Sequence, residues 1–353
     1  MKIKVLLLML ILQTALLAQA SSLPDTVLHV SRIEDVYFTS GRFETAGGLY
    51  LPDLKHERYP VIIWVPGSGQ SFRKVKNKET IKLINCILDR GFAYFRIDKP
   101  GCGDSKGKVN NDSLFVEFSD IFADAIKKLN SHPAVDRSDI GLFGSSQAGY
   151  IMPLVISKSK DISFIIGSSC PGENSIEQWN YLLEKQMVCD GITPERARKN
   201  IEMFSALRNT TDKEVFDKAV NYFKNNPMVV SSLGYDSLFY KTAESWWPRV
   251  IDEKDESHFN PMSVMEKVTI PCYLVYGKND TQIDPVQAMQ AYKDAFAKSG
   301  NRYFRIEMLS NSDHNMSLSG GCLNEISELN QSGDYRYDPE YIKLISSWLD
   351  EWF

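Results

Sequence analysis

Apolar residues along this chain fall into two kinds of short segment, and the alternation between them is the first structural information the sequence carries. Residues 61–65, Val-Ile-Ile-Trp-Val, are continuously apolar, as a strand buried on both faces must be, and they end in Pro66-Gly67-Ser68-Gly69. Ile81, Ile84, Cys86, Ile87 and Leu88 then recur at helical spacing and stop at Gly91. The couplet repeats with a strand over 92–98, the turn Lys99-Pro100-Gly101-Cys102-Gly103, and a helix through Phe115, Phe118, Ile121, Phe122, Ala125 and Leu129 that His132-Pro133 breaks. A strand over 140–143 leads straight into Gly144-Ser145-Ser146-Gln147-Ala148-Gly149 and a third helix, and a strand over 162–167 closes this half. Ahead of it, short alternating segments at 36–38 and 48–52 read as leading antiparallel strands. The alternation resumes late in the chain with a strand over 272–276, a helix over 285–298, a strand over 303–309 and an amphipathic helix from Pro339 through Leu349. Strand–helix alternation with short connections predicts a parallel sheet covered by helices on both faces.

Residues 171–265 break this rhythm. They hold helical segments at 176–187, 194–207 and 212–225, polar turns, and Trp246-Trp247 before Pro248, with no continuous apolar run of strand length. The simplest reading is a helical lid inserted over the sheet, dividing a core of 21–170 and 266–353. Trp179, Trp246 and Trp247 serve equally as an apolar or sugar-stacking wall or as anchors of the lid on the core. The 353 residues exceed the ~250–300 at which single cores stop growing, which also favours one large core with a smaller unit.

The first twenty residues, MKIKVLLLMLILQTALLAQA, have a positive start at Lys2 and Lys4, an apolar run from Val5 to Leu12 and a small-x-small site at Ala18-Gln19-Ala20. This is the pattern of a cleaved export leader. A membrane anchor needs about twenty apolar residues, and Gln13-Thr14 interrupt the run too early. No stable membrane anchor is expected after cleavage, and the mature chain is expected to be secreted or periplasmic. The composition is 43% apolar and 24% charged, which excludes wholesale disorder. The formal charge is −5, and −7 once the leader lysines are gone, so a phosphate-tracking nucleic-acid binder is not expected. The six cysteines show no CxxC spacing and no paired histidines, which argues against a zinc site. Export permits disulfides among them, with the pairing open, while Cys86 and Cys272 fall in apolar segments and read as buried thiols.

The candidate chemistry lies at strand ends, where open α/β sheets place their sites. Gly144-x-Ser146-x-Ala148-Gly149 joins a buried strand to a helix, and a sharp turn of that kind lifts one hydroxyl above the sheet. A reading centred on Ser145 would put Phe143 where a small residue is required. Ser169, in Gly167-Ser168-Ser169-Cys170-Pro171, also sits at a strand end but runs into a Pro-Gly turn, so a structural role is the simpler reading. Of the five histidines only His314 follows the last strand, in the polar loop Leu309-Ser310-Asn311-Ser312-Asp313-His314; a solvated surface histidine is the competing reading. Asp280 follows the preceding strand directly and is the orienting acid, whereas Asp284 before Pro285 reads as a helix cap and Asp313 as pointing away from its neighbour. The oxyanion donors would be the N–H groups of Gln147 and of Ser68, with Gly69 as the near alternative, each worth about 3–4 kcal/mol in the transition state.

With these pieces in order the sequence resembles the α/β-hydrolase superfamily, and within it the exported, lidded serine esterases and peptidase-like hydrolases. The marks are PGSG at 66–69, DKPGCGDSKG at 98–107, GSSQAG at 144–149, YGKND at 276–280 and the His314 loop. The resemblance implies an eight-stranded, mostly parallel sheet and puts Ser146, Asp280 and His314 on the triad positions. It also gives Asp98 and the 101–103 turn a supporting, non-catalytic role beneath the site. The sequence departs from the pattern at Pro66, where a histidine is usual, and at Ala148, where a second elbow glycine is usual. The expected activity is hydrolysis of a carboxylic ester through an acyl-enzyme, with no metal or organic cofactor, on a small ester or short peptide. A dipeptidyl or aminoacyl peptidase on the same triad is the alternative; a thioesterase, an acyltransferase or a non-catalytic binding protein follow. Glu173, Glu177 and Glu184 offer an acidic subsite for a substrate amine, although their spacing reads first as a solvated helix face.

Overall fold

The computed structural model describes residues 27–226, 247 and 256–352. The expected leader at 1–20, Trp246 and part of the expected insertion lie outside these residues. Eight strands, β1 (Val30–Ser40), β2 (Phe43–Pro52), β3 (Tyr59–Val65), β4 (Ala93–Ile97), β5 (Val135–Ser145), β6 (Phe164–Ser168), β7 (Cys272–Gly277) and β8 (Phe304–Leu309), form one sheet. Their spatial order is β1-β2-β4-β3-β5-β6-β7-β8. The two leading strands pair antiparallel, β2 lies antiparallel to β4, and every later pairing is parallel. This is the α/β-hydrolase fold. Strand β5 starts at Val135 rather than 140 because its polar first half pairs with Tyr59 through a register shift, which the apolar pattern does not signal.

Nine helices are used below: α1 (Lys78–Leu88), α2 (Leu114–Asn130), α3 (Ala148–Lys158), α4 (Ser175–Cys189), α5 (Pro194–Asn209), α6 (Lys213–Asn225), α7 (Pro285–Ser299), α8 (Leu323–Ser332) and α9 (Pro339–Trp352). Helices α2, α3 and α7 bury Phe118, Ile151 and Tyr292 against one face of the sheet. Helices α1 and α9 cover the other, where Trp348 stacks on Tyr273 at 5.6 Å between centroids. Both faces are therefore apolar, which is why the central strands read as unbroken hydrophobic runs. Asp284 caps α7 through its side chain, with Pro285 in the first turn. Helix α8 is short and has one buried apolar residue, Ile326, and the sequence reading misses it.

Helices α4, α5 and α6 make a separate layer with its own small core of Met187, Phe204, Phe216 and Phe223, against which Trp247 packs. This layer is covalently tied to the sheet domain by a Cys189–Cys322 disulfide, from the end of α4 to the start of α8. The remaining cysteines, Cys86, Cys102, Cys170 and Cys272, are buried free thiols. Among the described residues no helix is long and apolar enough to cross a membrane.

Candidate active site

Ser146 stands between β5 and α3 with φ of 54°, a left-handed conformation that is strained for a serine. Close packing explains the small neighbours. A Cβ on Gly144 would fall 2.4 Å from the Ala148 methyl, and one on Gly149 would fall 2.6 Å from Pro171 Cδ. Alanine is tolerated at 148 because glycine at 144 leaves room for it. The Ser146 N–H donates to Ser168 O at 3.0 Å, which anchors the turn to the neighbouring strand. Ser169 is also left-handed, with φ of 47°, but it is fully buried and borders neither of the two cavities at Ser146.

Asp280 and His314 come from loops after β7 and β8, 34 residues apart, and meet with His314 Nδ1 at 2.9 Å from Asp280 Oδ2. Both are almost completely buried. Asp280 Oδ1 accepts the N–H groups of Gln282 and Ile283 at 2.8 and 2.9 Å, so the carboxylate is held on both oxygens. Burial opposes a charge on His314, but the Asp280 carboxylate and its hydrogen bond outweigh it and raise the imidazole above its ordinary value. The loops are stitched together by Asn279 N–H donating to Ser312 O and Lys278 N–H to Leu309 O. Gly277 is required here, since a Cβ on it would lie 2.3 Å from Asp313 O.

Asp313 turns away from His314, as expected, and shapes its loop. Its carboxylate accepts from the N–H groups of Asn315 and Ser317 and from the hydroxyls of Ser319 and Tyr335. Three of the other four histidines have partners elsewhere: His29 pairs with Asp89, His132 with Glu34, and His56 packs edge-on against Tyr59. Ser146 and His314 border one cavity of about 880 Å³ and make no hydrogen bond to each other. Such contacts commonly tighten only when a substrate is bound.

Ser68 lines the cavities on both sides of Ser146. The loop that carries it is fixed by Lys99, a buried residue the sequence reading left unassigned. Its Nζ donates to Gly67 O and Gly69 O and sits 4.9 Å from the Phe118 ring centre. A trans peptide holds its C=O and N–H antiparallel. Anchoring Gly67 O therefore turns the Ser68 N–H away from Lys99, whereas the Gly69 N–H belongs to a peptide that Lys99 does not hold. The Ser68 and Gln147 N–H groups donate to no protein acceptor among the described residues. Burial pushes the Lys99 ammonium down to about 8. Beneath this loop Asp98 accepts from the Arg73 N–H, the Arg73 guanidinium and the Asp104 N–H, in line with the supporting role expected of it.

Helix α4 closes the other side. Tyr181 OH donates to Asp280 O, Gln178 Nε2 to Gln282 O and Gln186 Nε2 to Thr281 Oγ1, so α4 is bonded along the acid loop. A cavity of about 820 Å³ lies between α4 and Ser146, walled by Trp179, Leu182 and the stacked pair Phe115–Tyr150. Of the tryptophans, Trp179 is thus a cavity wall and Trp247 an anchor within the helical layer. Glu256 closes this cavity while both its oxygens accept N–H groups at the start of α2, from Phe115 and Val116. Glu173 departs from the expected solvated helix face. It precedes α4, is 5% exposed, and burial raises its carboxyl to about 7, assisted by Asp284, Glu177 and Asp280. The Gly at 172 packs so tightly on α7 that the next side chain is drawn inward. Among the described residues no group of three His, Cys, Asp or Glu side chains is placed to hold a metal ion.

Comparison with known proteins adds a family. The model of the X-Pro dipeptidyl-peptidase (S15) family matches residues 45–314, a span that holds Ser68, Lys99, Ser146, Gln147, Asp280 and His314. No curated protein matches the chain. Among solved structures, the chain is similar to a Pyrococcus horikoshii acylaminoacyl peptidase, at 15% identity and a TM-score of 0.51, covering 82% of this chain and 39% of that one. A putative dipeptidyl aminopeptidase IV from Bacteroides ovatus gives 14% identity and a TM-score of 0.50 over 86% of this chain and 35% of that one. A Pyrococcus furiosus esterase gives 14% and 0.51, with 91% of both chains covered. The chain spans well under half the length of the two peptidases and nearly the whole length of the esterase, and at these identities the likeness is one of fold.

Proposed function

Because the chain belongs to the X-Pro dipeptidyl-peptidase (S15) family of the α/β-hydrolase superfamily, we propose that it is a serine hydrolase cleaving carboxylic esters through an acyl-enzyme on Ser146. The observation that carries this reading is the buried Asp280–His314 pair facing the strained Ser146 turn across a shared cavity. Ser146 Oγ attacks the ester carbonyl as its proton passes to His314 Nε2, and Asp280 keeps the other imidazole proton on Nδ1. The Ser68 and Gln147 N–H groups receive the oxyanion. His314 returns its proton to the leaving alcohol, and water, activated in the same way, releases the acid and frees Ser146.

Ester is preferred to peptide on a property of the cavity walls. Recognition of a free amino terminus calls for an uncommitted carboxylate. Among the described wall residues the one carboxylate is Glu256, whose two oxygens already hold backbone N–H groups. A dipeptidyl peptidase is the second reading, favoured by the description of the matching family. The deciding experiment sets short p-nitrophenyl esters and thioesters against aminoacyl-prolyl arylamides, with fluorophosphonate labelling of wild type and Ser146→Ala. Ester turnover, labelling confined to wild type and a loss of roughly 10⁴-fold in the variant support the proposal. Faster cleavage of the arylamides selects the peptidase, and complete inertness to the phosphonate selects a non-catalytic role.

We also infer export. The leader pattern at 1–20 supports it, and so does the Cys189–Cys322 bond, since disulfides persist in oxidising compartments. Mass analysis of the amino terminus after expression in a secreting host tests it; an intact Met1 leader on the exported protein, or retention in the cytosol, would contradict it.

A further inference from the structure

Arg96 lies on β4 opposite Gly48 and points into the 880 Å³ cavity that Ser146 and His314 border. It is half-buried, and its Nε is shut off from solvent with no hydrogen-bond partner among the described residues. Other shielded arginines of this protein are paired: Arg73 with Asp35, Asp98 and Asp104, and Arg90 with Asp350. The hydroxyls of Tyr50, Tyr94 and Tyr337 lie within electrostatic reach of Arg96. Carboxylates that share these neighbours are committed elsewhere, Glu79 to Lys82 and the Tyr337 N–H, and Asp98, like Asp104, to Arg73. Lys74 and Lys76 stand exposed at the rim, and no Asp or Glu is among the described residues that line the cavity. A guanidinium donor desolvated without an acceptor is costly, and the cost is recovered when an anion arrives.

We propose that this cavity is the subsite for a carboxylate carried by the substrate, so that the hydrolase acts on half-acid esters, with Arg96 as the residue that sets the specificity. The inference rests on the ester-hydrolase reading and narrows its substrate class. A guanidinium edge presents two N–H donors in one plane, which matches the two oxygens of a carboxylate, whereas Lys74 and Lys76 add attraction at the entrance. Ser146 sits between this cavity and the one beneath α4, so the two sides of the scissile bond have separate rooms. The carboxylate side lies toward Arg96, and the apolar side lies under Trp179 and Leu182.

Two substrate pairs test this. The first is mono-p-nitrophenyl glutarate against its methyl ester, with the charge in the acyl part. The second is 4-butyryloxybenzoate against its methyl ester, with the charge in the leaving group. In one pair kcat/KM for the free acid should exceed that of the methyl ester at least tenfold, and the excess should shrink as salt is raised. Arg96→Gln should bring that ratio to about one, and Arg96→Lys should restore part of it. Lys74→Gln with Lys76→Gln, both at exposed positions, should lower it a few-fold and flatten the salt dependence. Equal or better turnover of the methyl ester in both pairs would overturn the inference, as would a preference that survives Arg96→Gln. In either case continued ester turnover with Ser146 labelling leaves the hydrolase reading standing. Failure to hydrolyse any of the four esters or to label Ser146 overturns both.

Discussion

His314 Nδ1 lies 2.9 Å from Asp280 Oδ2, a side-chain pair across two loops that backbone hydrogen bonds also stitch together. In the proposed mechanism it keeps the imidazole proton on Nδ1 and leaves Nε2 to act on Ser146. The contact also raises the His314 pKa above its ordinary ~6.5, burial acting against it and Asp280 prevailing. The base must be neutral to work, so the acid limb of kcat/KM against pH should have its midpoint above about 6.5. Asp280→Asn should reduce kcat by roughly 10⁴-fold and disturb that limb. A wild-type midpoint at or below the ordinary imidazole value would contradict the assignment of His314 as the base.

Lys99 should matter for turnover more than for binding. Lys99→Met frees the carbonyls of Gly67 and Gly69, so the Ser68 N–H loses its fixed direction. A fall in kcat of roughly 10–100-fold is expected with KM nearly unchanged, within the cost of a whole oxyanion donor. Affinity for an aryl boronic acid, which mimics the tetrahedral adduct, should fall in parallel. Because burial holds the ammonium down to about 8, with the Cys102 thiol pulling the other way, wild type should lose activity above that pH as Lys99 deprotonates. Lys99→Arg should keep its activity there. Identical alkaline limbs in the two proteins would remove this role.

Reduction should destabilise the protein through one bond. Cys189 and Cys322 close a loop of 133 residues, and cross-links of this kind contribute roughly 2–5 kcal/mol. Denaturant unfolding with and without reductant should differ by that amount, and Cys189→Ser with Cys322→Ser should match the reduced wild type. An oxidised protein no more stable than the reduced one would show that the tie constrains little.

Gly277→Ala should separate the acid and the base. The added methyl would fall 2.3 Å from Asp313 O and 2.4 Å from Ser312 O, both rigid backbone atoms, so the His314 loop must move. Activity should drop by at least tenfold, because a misplacement of about 1 Å at a reacting group costs on the order of 10²-fold. The His314 midpoint should move back toward its ordinary value. An alanine variant with wild-type kcat would show that the loop relaxes without disturbing the pair.

How much of this protein its sequence determines depends on how far apart the cooperating residues lie. The central strands announce themselves because burial on both faces leaves no polar position to interrupt them, as in 61–65 and 272–276. The Ser146 turn is legible for a similar reason: its small neighbours, the strand before it and the helix after it are all local. Chain order points to His314, and the turn directly after the preceding strand points to Asp280 once Asp284 is read as a helix cap, because these cues are also local. Tertiary structure decides whatever depends on partners far along the chain. Lys99 meets the loop of Ser68 from a different strand end, Glu173 is drawn inward by packing on α7, and the cysteine pairing spans 133 residues. Arg96 is the extreme case, one charged residue on a buried strand whose Nε meets no acceptor among the described residues. No local pattern encodes an unpaired donor, because pairing belongs to the space around a side chain and not to its neighbours in sequence.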